Sequence, residues 1–356
     1  MFTRDDTNRI KGIAILLLIF HHMYRTPDAI GFLAAKAFLL SYDDISQIAY
    51  CFRVCVYVFV FLSAYGISEG FKREKIVFKY YIYRLWRFLS PYWFTLVLLN
   101  LLYFLVFKHI KYSNPFDFLG DVIPVHDMMG RSELMFDGVF WYMNFTLILI
   151  LFLPLIHQLT AKFGVFVFLV TLVTYGLVPV VLDSPRGGPY YSYIFAVELG
   201  ILIQQKDLLA TAKKRYSGFS NLTKVVCLIG LLLFSFLFPY MAWFVIPDNR
   251  FGIQSFFHSA GALALILCVY LIKLPRFISW FLELLGKYSY DIFLIHVQVF
   301  RYSRDILHKV KYVLLQFIVT VGMCLLIVFL IDLLKKVTRW ESLISKVSEK
   351  IKAAGN

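Results

Sequence analysis

Ionisable side chains within long apolar segments are the residues of this chain whose positions favour chemistry. Charged groups are costly in hydrocarbon, so each such residue is a functional hypothesis. The set comprises His21, His22, Arg53, Glu198, Asp291, His296 and Asp332. The sequence lacks an HExxH motif, a Gly-rich phosphate loop and a GxSxG elbow, and no two carboxylates have the spacing of a proton-transfer pair. The sequence therefore does not fit the common classes of soluble enzyme that these motifs define.

The first apolar segment places a basic residue and a histidine on one helix face. Lys11 and His22 are eleven residues apart, which at about 100° per residue is three turns plus about 20°. His22 then lies about 16 Å further along the axis, whereas His21 is rotated away by about 100°. The spacing indicates that His22, and not His21, faces a cavity shared with Lys11. Adjacent histidines at the membrane interface are the alternative interpretation.

Three arginines are also placed where they favour ligand binding. Arg84 and Arg87 are neighbours on one helix face at the predicted cytoplasmic mouth of the third span. A guanidinium binds phosphate through two parallel hydrogen bonds, although a plain basic flank of a membrane helix is the alternative. Arg53 falls in the outer half of the second span, where contact with lipid is expensive. It is therefore predicted to line a cavity.

Four further residues are candidates for the same cavity. Ser289 and His296 are seven residues apart and share one face of the predicted ninth span. His296 as a hydrogen-bonded packing residue is the alternative. Glu198 and Trp141 are placed beside them, although an aromatic residue at the end of a span is often an interfacial anchor.

These residues must be positioned by membrane-spanning helices. Of the 356 residues, 60% are hydrophobic and only 16% are charged, whereas soluble domains are about 25% charged. Because about 20 apolar residues span a bilayer, the sequence predicts an all-α polytopic membrane protein with about ten transmembrane helices. The predicted spans are 10–26, 48–68, 88–107, 139–157, 163–182, 189–205, 222–246, 254–273, 281–300 and 311–334.

Lysine and arginine collect in alternate loops and determine the predicted orientation. The stretches 69–87 and 206–224 are basic, whereas the loops predicted on the opposite side are acidic or mixed. By the positive-inside rule both termini are cytoplasmic, and the basic loop 301–311 is one exception. The predicted organisation is a transmembrane domain, 1–335, followed by a cytoplasmic Lys-rich tail, 336–356.

The net charge of +14 follows from these loops, so no nucleic-acid partner is predicted. The five cysteines are odd in number, lie within apolar segments and form no CxxC pair, which favours neither disulfides nor zinc. We predict no metal and no permanently bound cofactor. The expected location is the cell membrane, with the lipid bilayer as a partner. Assembly into a homo-oligomer is an open alternative.

The motifs taken together resemble the acyltransferase family 3 integral membrane proteins. The opening RIKGIAILLLIFHH, with a basic residue eleven positions before His22, is similar to the first helix of that family. The later matching stretches are VYVFVFLSAYGI at 56–67, RLWRFLSPYW at 84–93, FWYMNFTLILILFLPLI at 140–156 and LGKYSYDIFLIH at 285–296. The resemblance covers nearly the whole chain in order. Lys11 stands where arginine is usual, and Ala64 and Phe293 replace the usual glycine and tyrosine.

The resemblance implies transfer of an acyl group, usually acetyl, from cytoplasmic acyl-CoA to a sugar hydroxyl. The acceptor would be a capsule, exopolysaccharide or related cell-surface glycan, or its lipid-linked precursor. His22 would be the general base or a transient acyl carrier, and Arg53 would stabilise an oxyanion or an acceptor group. The implied acyl-CoA-binding residues are Lys11, Arg84 and Arg87. The remaining implied cavity residues are Ser63, Trp141, Glu198, Ser289 and His296.

Two other classes of function remain as hypotheses. A transporter or flippase of glycan or lipid intermediates would be expected to show half-repeats or broken helices, and neither is evident in the sequence. A glycan polymerase would be expected to have a large charged outer loop, and 108–138 is the one sizeable segment of that kind.

In an acyltransferase, the same loop is predicted to bound the entrance for the acceptor together with Arg53 and Trp141. Its candidate hydrogen-bond acceptors are Asp117, Asp121, Asp127 and Glu133.

Overall fold

The architecture is helical throughout the part of the chain that the structure describes. The structure is a computed structural model that describes residues 2–36, 39–71, 78–177, 191–246 and 251–353. In these residues the only extended pairing is an isolated bridge between Lys36 and Tyr312. The predicted all-α class is therefore confirmed.

The described residues of the first half of the chain form eight α-helices. They are α1 (Arg4–Tyr24), α2 (Pro27–Phe32), α3 (Tyr42–Cys51), α4 (Val54–Gly70), α5 (Phe78–Phe107), α6 (Pro115–Val122), α7 (Trp141–Phe163) and α8 (Val165–Thr171). The last of these continues as a π-helical segment over Leu172–Leu177. Short 3-10 turns at Ser132–Leu134 and Gly138–Phe140 precede α7.

Nine further α-helices follow in the described residues of the second half. They are α9 (Ile194–Gln205), α10 (Leu208–Ser217), α11 (Asn221–Tyr240), α12 (Phe251–Leu271), α13 (Arg276–Lys287), α14 (Ser289–Tyr302), α15 (Arg304–Val310), α16 (Val313–Val337) and α17 (Trp340–Ala353). A π-helical segment, Met241–Val245, extends α11. The long apolar helices among them are α11, α12 and α16.

Six stretches of the described chain are long and apolar enough to cross a membrane. They are Tyr42–Gly70, Lys79–Phe107, Gly138–Phe163, Asn221–Val245, Phe251–Leu271 and Val313–Val337, and they coincide with six of the ten predicted spans. Shorter apolar helices, Val165–Leu177 and Ile194–Gln205, occupy parts of two more. The intervening residues 178–190 lie outside the described residues. The protein is thus multi-pass, while the count of ten and the cytoplasmic position of both termini stay predictions.

The first and ninth predicted spans differ from the observed helices. Helix α1 begins six residues before the predicted position 10, because Thr3 and Asp6 form a capping box in which each side chain accepts the other residue's backbone N–H. The prediction of one helix over 281–300 is wrong. Tyr288, with φ −96° and ψ 6°, separates α13 from α14 and lies outside the α-helical well.

The contacts divide the chain into two compact units. The first comprises Met1–Lys72 and Leu155–Leu325, and the second comprises Arg73–Pro154 and Leu326–Asn356. Of the predicted site residues, the first unit contains Lys11, His22, Arg53, Ser63, Glu198, Ser289 and His296, and the second contains Arg84, Arg87 and Trp141.

Two glycines let α1 and α13 pack with their backbones in close contact in the first unit. A Cβ added at Gly12 would overlap the backbone of Leu282, and one added at Gly286 would overlap the backbone of Asn8. Neither position has room for any other side chain, which explains why glycine occupies both. The close packing fixes the helix that carries His22.

Aromatic contacts fix the other end of α1. Phe20 packs edge-on against Phe52 and Phe317, with ring centroids 5.1 and 5.5 Å apart. The Tyr24 hydroxyl donates to the carbonyl of Val313 at 2.9 Å. These contacts tie α1 to the start of α4 and to α16, so the last turn of α1, which carries both histidines, has a defined position.

Candidate functional site

His22 and His296 face each other within the first unit. Their ring centroids are 5.0 Å apart and their planes are tilted by 56°. His22 comes from the last turn of α1 and is half-buried, whereas His296 comes from α14 and is fully buried. The fold thus brings together two predicted site residues that are far apart in sequence.

The hydrogen bonding of His296 determines which of its nitrogens can react. Its Nδ1 lies 2.7 Å from the carbonyl oxygen of Phe293, which can only accept, so Nδ1 carries the proton. In the neutral ring the lone pair is then on Nε2, which is buried and has no hydrogen-bond partner. A buried polar atom without a hydrogen bond lowers the stability of the folded protein by about 1–3 kcal/mol. The lone pair of Nε2 is available to accept a proton.

His21 has a structural environment instead. Its Nδ1 lies 2.7 Å from the carbonyl oxygen of Ala49 in α3 and donates to it, and its side chain is buried. The two adjacent imidazoles meet edge-on, with centroids 5.2 Å apart. His21 therefore ties α1 to α3, whereas the ring of His22 lies against that of His296. That His22 faces a cavity shared with Lys11 stays a prediction.

Arg53 brings a positive charge into the same region. Its guanidinium lies 5.1 Å from the ring centre of Trp243 and hydrogen-bonds Tyr193. It is within electrostatic range of both His21 and His22. Among the described residues no carboxylate forms an ion pair with it. An uncompensated guanidinium beside an imidazole is suited to stabilise negative charge on a ligand.

Aromatic residues near the Arg53 guanidinium are part of the site but are not predicted from the sequence. Tyr50 stacks on Trp243 at 4.8 Å, and Tyr57 stacks on His258 at 4.9 Å, both with planes 18° apart. His258 is buried and its Nδ1 has no hydrogen-bond partner. The criterion that singled out His296, an ionisable residue in an apolar span, also applies to His258. No local signal marks Trp243, which joins the site only through the fold.

The other predicted residues of the first unit have varied surroundings. Glu198 is buried and accepts from the Thr171 hydroxyl at 2.6 Å, so its observed partner is in α8 and is not a histidine. Lys11 is half-buried on the unbroken α1, eleven residues before His22. Ser63 is half-buried on α4, and Ser289 is buried at the start of α14.

The second unit contains the predicted arginine pair on a continuous helix. The Arg84 guanidinium lies 5.2 Å from the ring centre of Tyr80. Arg87 is exposed, and its Nη1 donates to the Tyr83 hydroxyl at 3.4 Å. Trp141 is the first residue of α7 and is half-buried. The arrangement of both arginines at neighbouring positions of α5 is as the sequence predicts.

The segment 108–138 is organised around Asp121. Its Oδ2 accepts from the Tyr112 hydroxyl and from the Phe136 N–H, each at 2.7 Å, and its side chain is only 2% exposed. Asp117 is also buried and accepts from Asn114 at 2.8 Å. The expectation that these two carboxylates bind sugar hydroxyls is therefore not supported, because both are used inside the loop.

We expect Asp121→Asn to keep the loop folded and to remove part of its pH dependence. Burial raises the pKa of Asp121, against the opposing effect of its two hydrogen bonds. The pKa of this carboxyl in the folded protein is therefore higher than its value of about 4 in the unfolded chain. Ionisation of the carboxyl then destabilises the folded protein as pH rises from the unfolded pKa through the folded pKa. Asparagine can accept both hydrogen bonds without a charge. Thermal unfolding in detergent should show the variant at least as stable as wild type at pH 7.

The matched variant Asp121→Ala removes both acceptors and should lose about 1–3 kcal/mol at the same pH. An alanine variant as stable as the asparagine variant would contradict the organising role of this carboxylate.

Six membrane-length helices define a multi-pass membrane protein. Within its first unit, the imidazoles of His22 and His296 and the guanidinium of Arg53 lie in one region. The chain matches acyltransferase family 3, described as an acyltransferase domain, over residues 6–333. It therefore belongs to this family and is a membrane acyltransferase, as its motifs predict. No curated protein and no solved structure matches the chain significantly.

Proposed function

We propose that the protein is an O-acetyltransferase of the cell membrane that moves an acetyl group from acyl-CoA to a hydroxyl of a cell-surface glycan or its lipid-linked precursor. The observation that carries this proposal is the pair of imidazoles, His22 and His296, beside Arg53. Family membership supports the acyl transfer itself. Acetyl as the acyl group, CoA as the carrier and a capsule or exopolysaccharide as the acceptor are proposals.

In the proposed reaction His22 acts as the general base. It removes the proton from the acceptor hydroxyl while the oxygen attacks the carbonyl carbon of the thioester. The C–S bond then breaks, and the CoA thiolate takes the proton back from His22, so that the products are an ester and free CoA. His296 Nε2 is suited to accept the other N–H of His22, which would leave the opposite nitrogen of His22 with the lone pair that a base needs.

Arg53 would stabilise the oxyanion that forms when the hydroxyl attacks. Oxyanion stabilisation by a single donor contributes about 10²–10³-fold to the rate of other acyl-transfer enzymes. The guanidinium is held by Trp243 and Tyr193 and has no carboxylate partner in the described chain. Its orientation is therefore set before the acceptor arrives.

Donor and acceptor would approach from opposite sides of the membrane. Arg84 and Arg87 would receive the phosphates of acyl-CoA on the cytoplasmic side, and Lys11 would add positive charge along the way to His22. The glycan would enter from the outer side near Arg53. This route requires no transfer of CoA across the bilayer.

The decisive experiment is incubation of the purified protein in lipid nanodiscs with labelled acetyl-CoA and a panel of cell-surface glycans. We expect labelled ester on a glycan hydroxyl, released by mild alkali, and stoichiometric free CoA. Absence of ester together with movement of a lipid-linked glycan across liposomes would instead support a flippase.

Topology is tested with a cysteine at Ser113, an exposed residue of the proposed outer loop. A membrane-impermeant thiol reagent should label this cysteine in intact cells. The matched control is a cysteine at Ser217, exposed at the end of α10 and proposed to be cytoplasmic. The control should be labelled only after permeabilisation. The reverse pattern would invert the topology and remove the proposed route of the acceptor.

A further inference from the structure

The C-terminal helix α17 packs along the first half of α5 within the second unit. The Trp86 indole N–H donates to the carbonyl of Ile344 at 3.2 Å. The rings of Phe94 and Trp340 are 5.6 Å apart. Helix α17 lies beyond residues 6–333, the part of the chain that matches the family. It lies outside the matched range and against the helix that carries Arg84 and Arg87.

A groove of about 360 Å³ lies between these two helices. Its volume is within the range of about 300–1,000 Å³ that is typical of small-molecule sites. Two cations from different helices meet at one ring in the groove. Lys352 Nζ lies 4.6 Å from the ring centre of Tyr83, and the Arg87 guanidinium carbon lies 5.9 Å from the same centre. The lining includes Tyr83, Arg87, Glu341, Ser345, Ser348 and Lys352.

Neither of the two cations forms an ion pair with a described acidic residue of the groove. Glu341 and Glu349 line it too, but in the described chain neither forms an ion pair with Arg87 or Lys352. The contact seen for Glu349 is with Ser345, at 3.5 Å. Both cations are consequently available to an anionic ligand.

Ser348 provides an independent indication of a ligand. Its side chain is only 8% exposed, it lines the groove, and its hydroxyl has no hydrogen-bond partner. Serine hydroxyls in helices often bond a carbonyl of the preceding turn, and this one does not. A buried hydroxyl without a partner costs stability, and a phosphate oxygen in the groove would satisfy it.

We propose that this groove binds the phosphorylated nucleotide end of the acyl donor, and that Lys352 and Ser348 of the C-terminal helix are donor-binding residues alongside Arg87. The inference rests on the proposed use of acyl-CoA. A phosphate there would contact cations of two helices that are distant in sequence and would accept a hydrogen bond from Ser348. The acyl arm, which carries no charge, needs no such contacts.

The test compares acetyl-CoA with acetyl-pantetheine, which lacks the nucleotide and its phosphates. In zwitterionic nanodiscs, Lys352→Ala should raise KM for acetyl-CoA about tenfold, the effect of losing one charge-assisted contact. Its KM for acetyl-pantetheine should be unchanged. Ser348→Ala should show a smaller change of the same kind, and Lys352→Arg should retain most of the affinity. The matched control is Lys350→Ala, an exposed lysine of α17 that does not line the groove.

Three results would overturn the inference. Equal KM values for Lys352→Ala and Lys350→Ala would show that Lys352 does not contact the donor. An equal loss with both donors would show a structural role for the helix. A loss that appears only in nanodiscs of anionic lipid would assign the groove to a lipid headgroup phosphate. In each case acetyl transfer by the wild-type protein continues, whereas a wild-type protein that uses neither donor would refute the proposed function itself.

Discussion

His22→Ala is expected to reduce acyl transfer by about 10²–10⁴-fold, the usual contribution of a general base. Expression, membrane insertion and thermal stability should stay close to wild type, because His22 is half-buried and its observed neighbours are the rings of His21 and His296. The measurement is labelled acetate on the glycan per unit of folded protein.

The control for this prediction is the adjacent histidine. His21→Ala should keep more activity but lose stability, because it removes the hydrogen bond to the carbonyl of Ala49 and leaves a buried carbonyl unsatisfied, at about 1–3 kcal/mol. His296→Gln keeps a polar side chain of similar size without an imidazole, and should lower the rate with little change in KM. Full activity in His22→Ala would refute the assignment of the base.

The Arg84→Ala, Arg87→Ala double variant should raise KM for acyl-CoA by about 100-fold or more, since each lost charge-assisted contact is worth about tenfold. KM for the glycan should change little, because the pair is proposed to contact only the donor. Arg84→Lys should rescue in part, because a point charge cannot form two parallel hydrogen bonds to one phosphate. Initial rates at varied acyl-CoA and fixed glycan provide the measurement.

Lys108→Ala is the matched control for charge. Lys108 is exposed and follows α5 at the end opposite to the arginine pair. Its replacement removes one positive charge, as each single arginine variant does, and should leave both KM values unaltered. An unchanged KM for acyl-CoA in the double arginine variant would contradict donor binding. The pair would then be only a basic flank that orients the helix.

Local sequence was sufficient for the class of fold and for the family. Apolar length predicted six of the observed membrane-length helices, since a span depends on consecutive residues only. The shared face of Lys11 and His22 follows from their spacing, because α1 is unbroken from Arg4 to Tyr24. That His22 is the functional histidine stays a prediction. The order of motifs predicted the family, which the match over residues 6–333 confirms.

Predictions that required neighbours in space were less successful. The span over 281–300 was predicted as one helix, because its residues are apolar on both sides of Tyr288. Asp121 was assigned to a sugar, since nothing local reveals that Tyr112 and Phe136 donate to it. Trp243, in an ordinary apolar segment, lies against Arg53 only because the fold brings these two distant parts of the chain together.

The sequence by itself determined that the chain is helical, spans a membrane several times and carries a basic residue and a histidine on one helix face. These properties depend on composition and on the helical period, which act within about twenty residues. The tertiary structure alone decided that His22 meets His296, that Arg53 is held by Trp243, and that Lys352 reaches the ring beside Arg87. Such pairs depend on how helices distant in sequence pack together, and packing is determined by the shapes of whole helix surfaces.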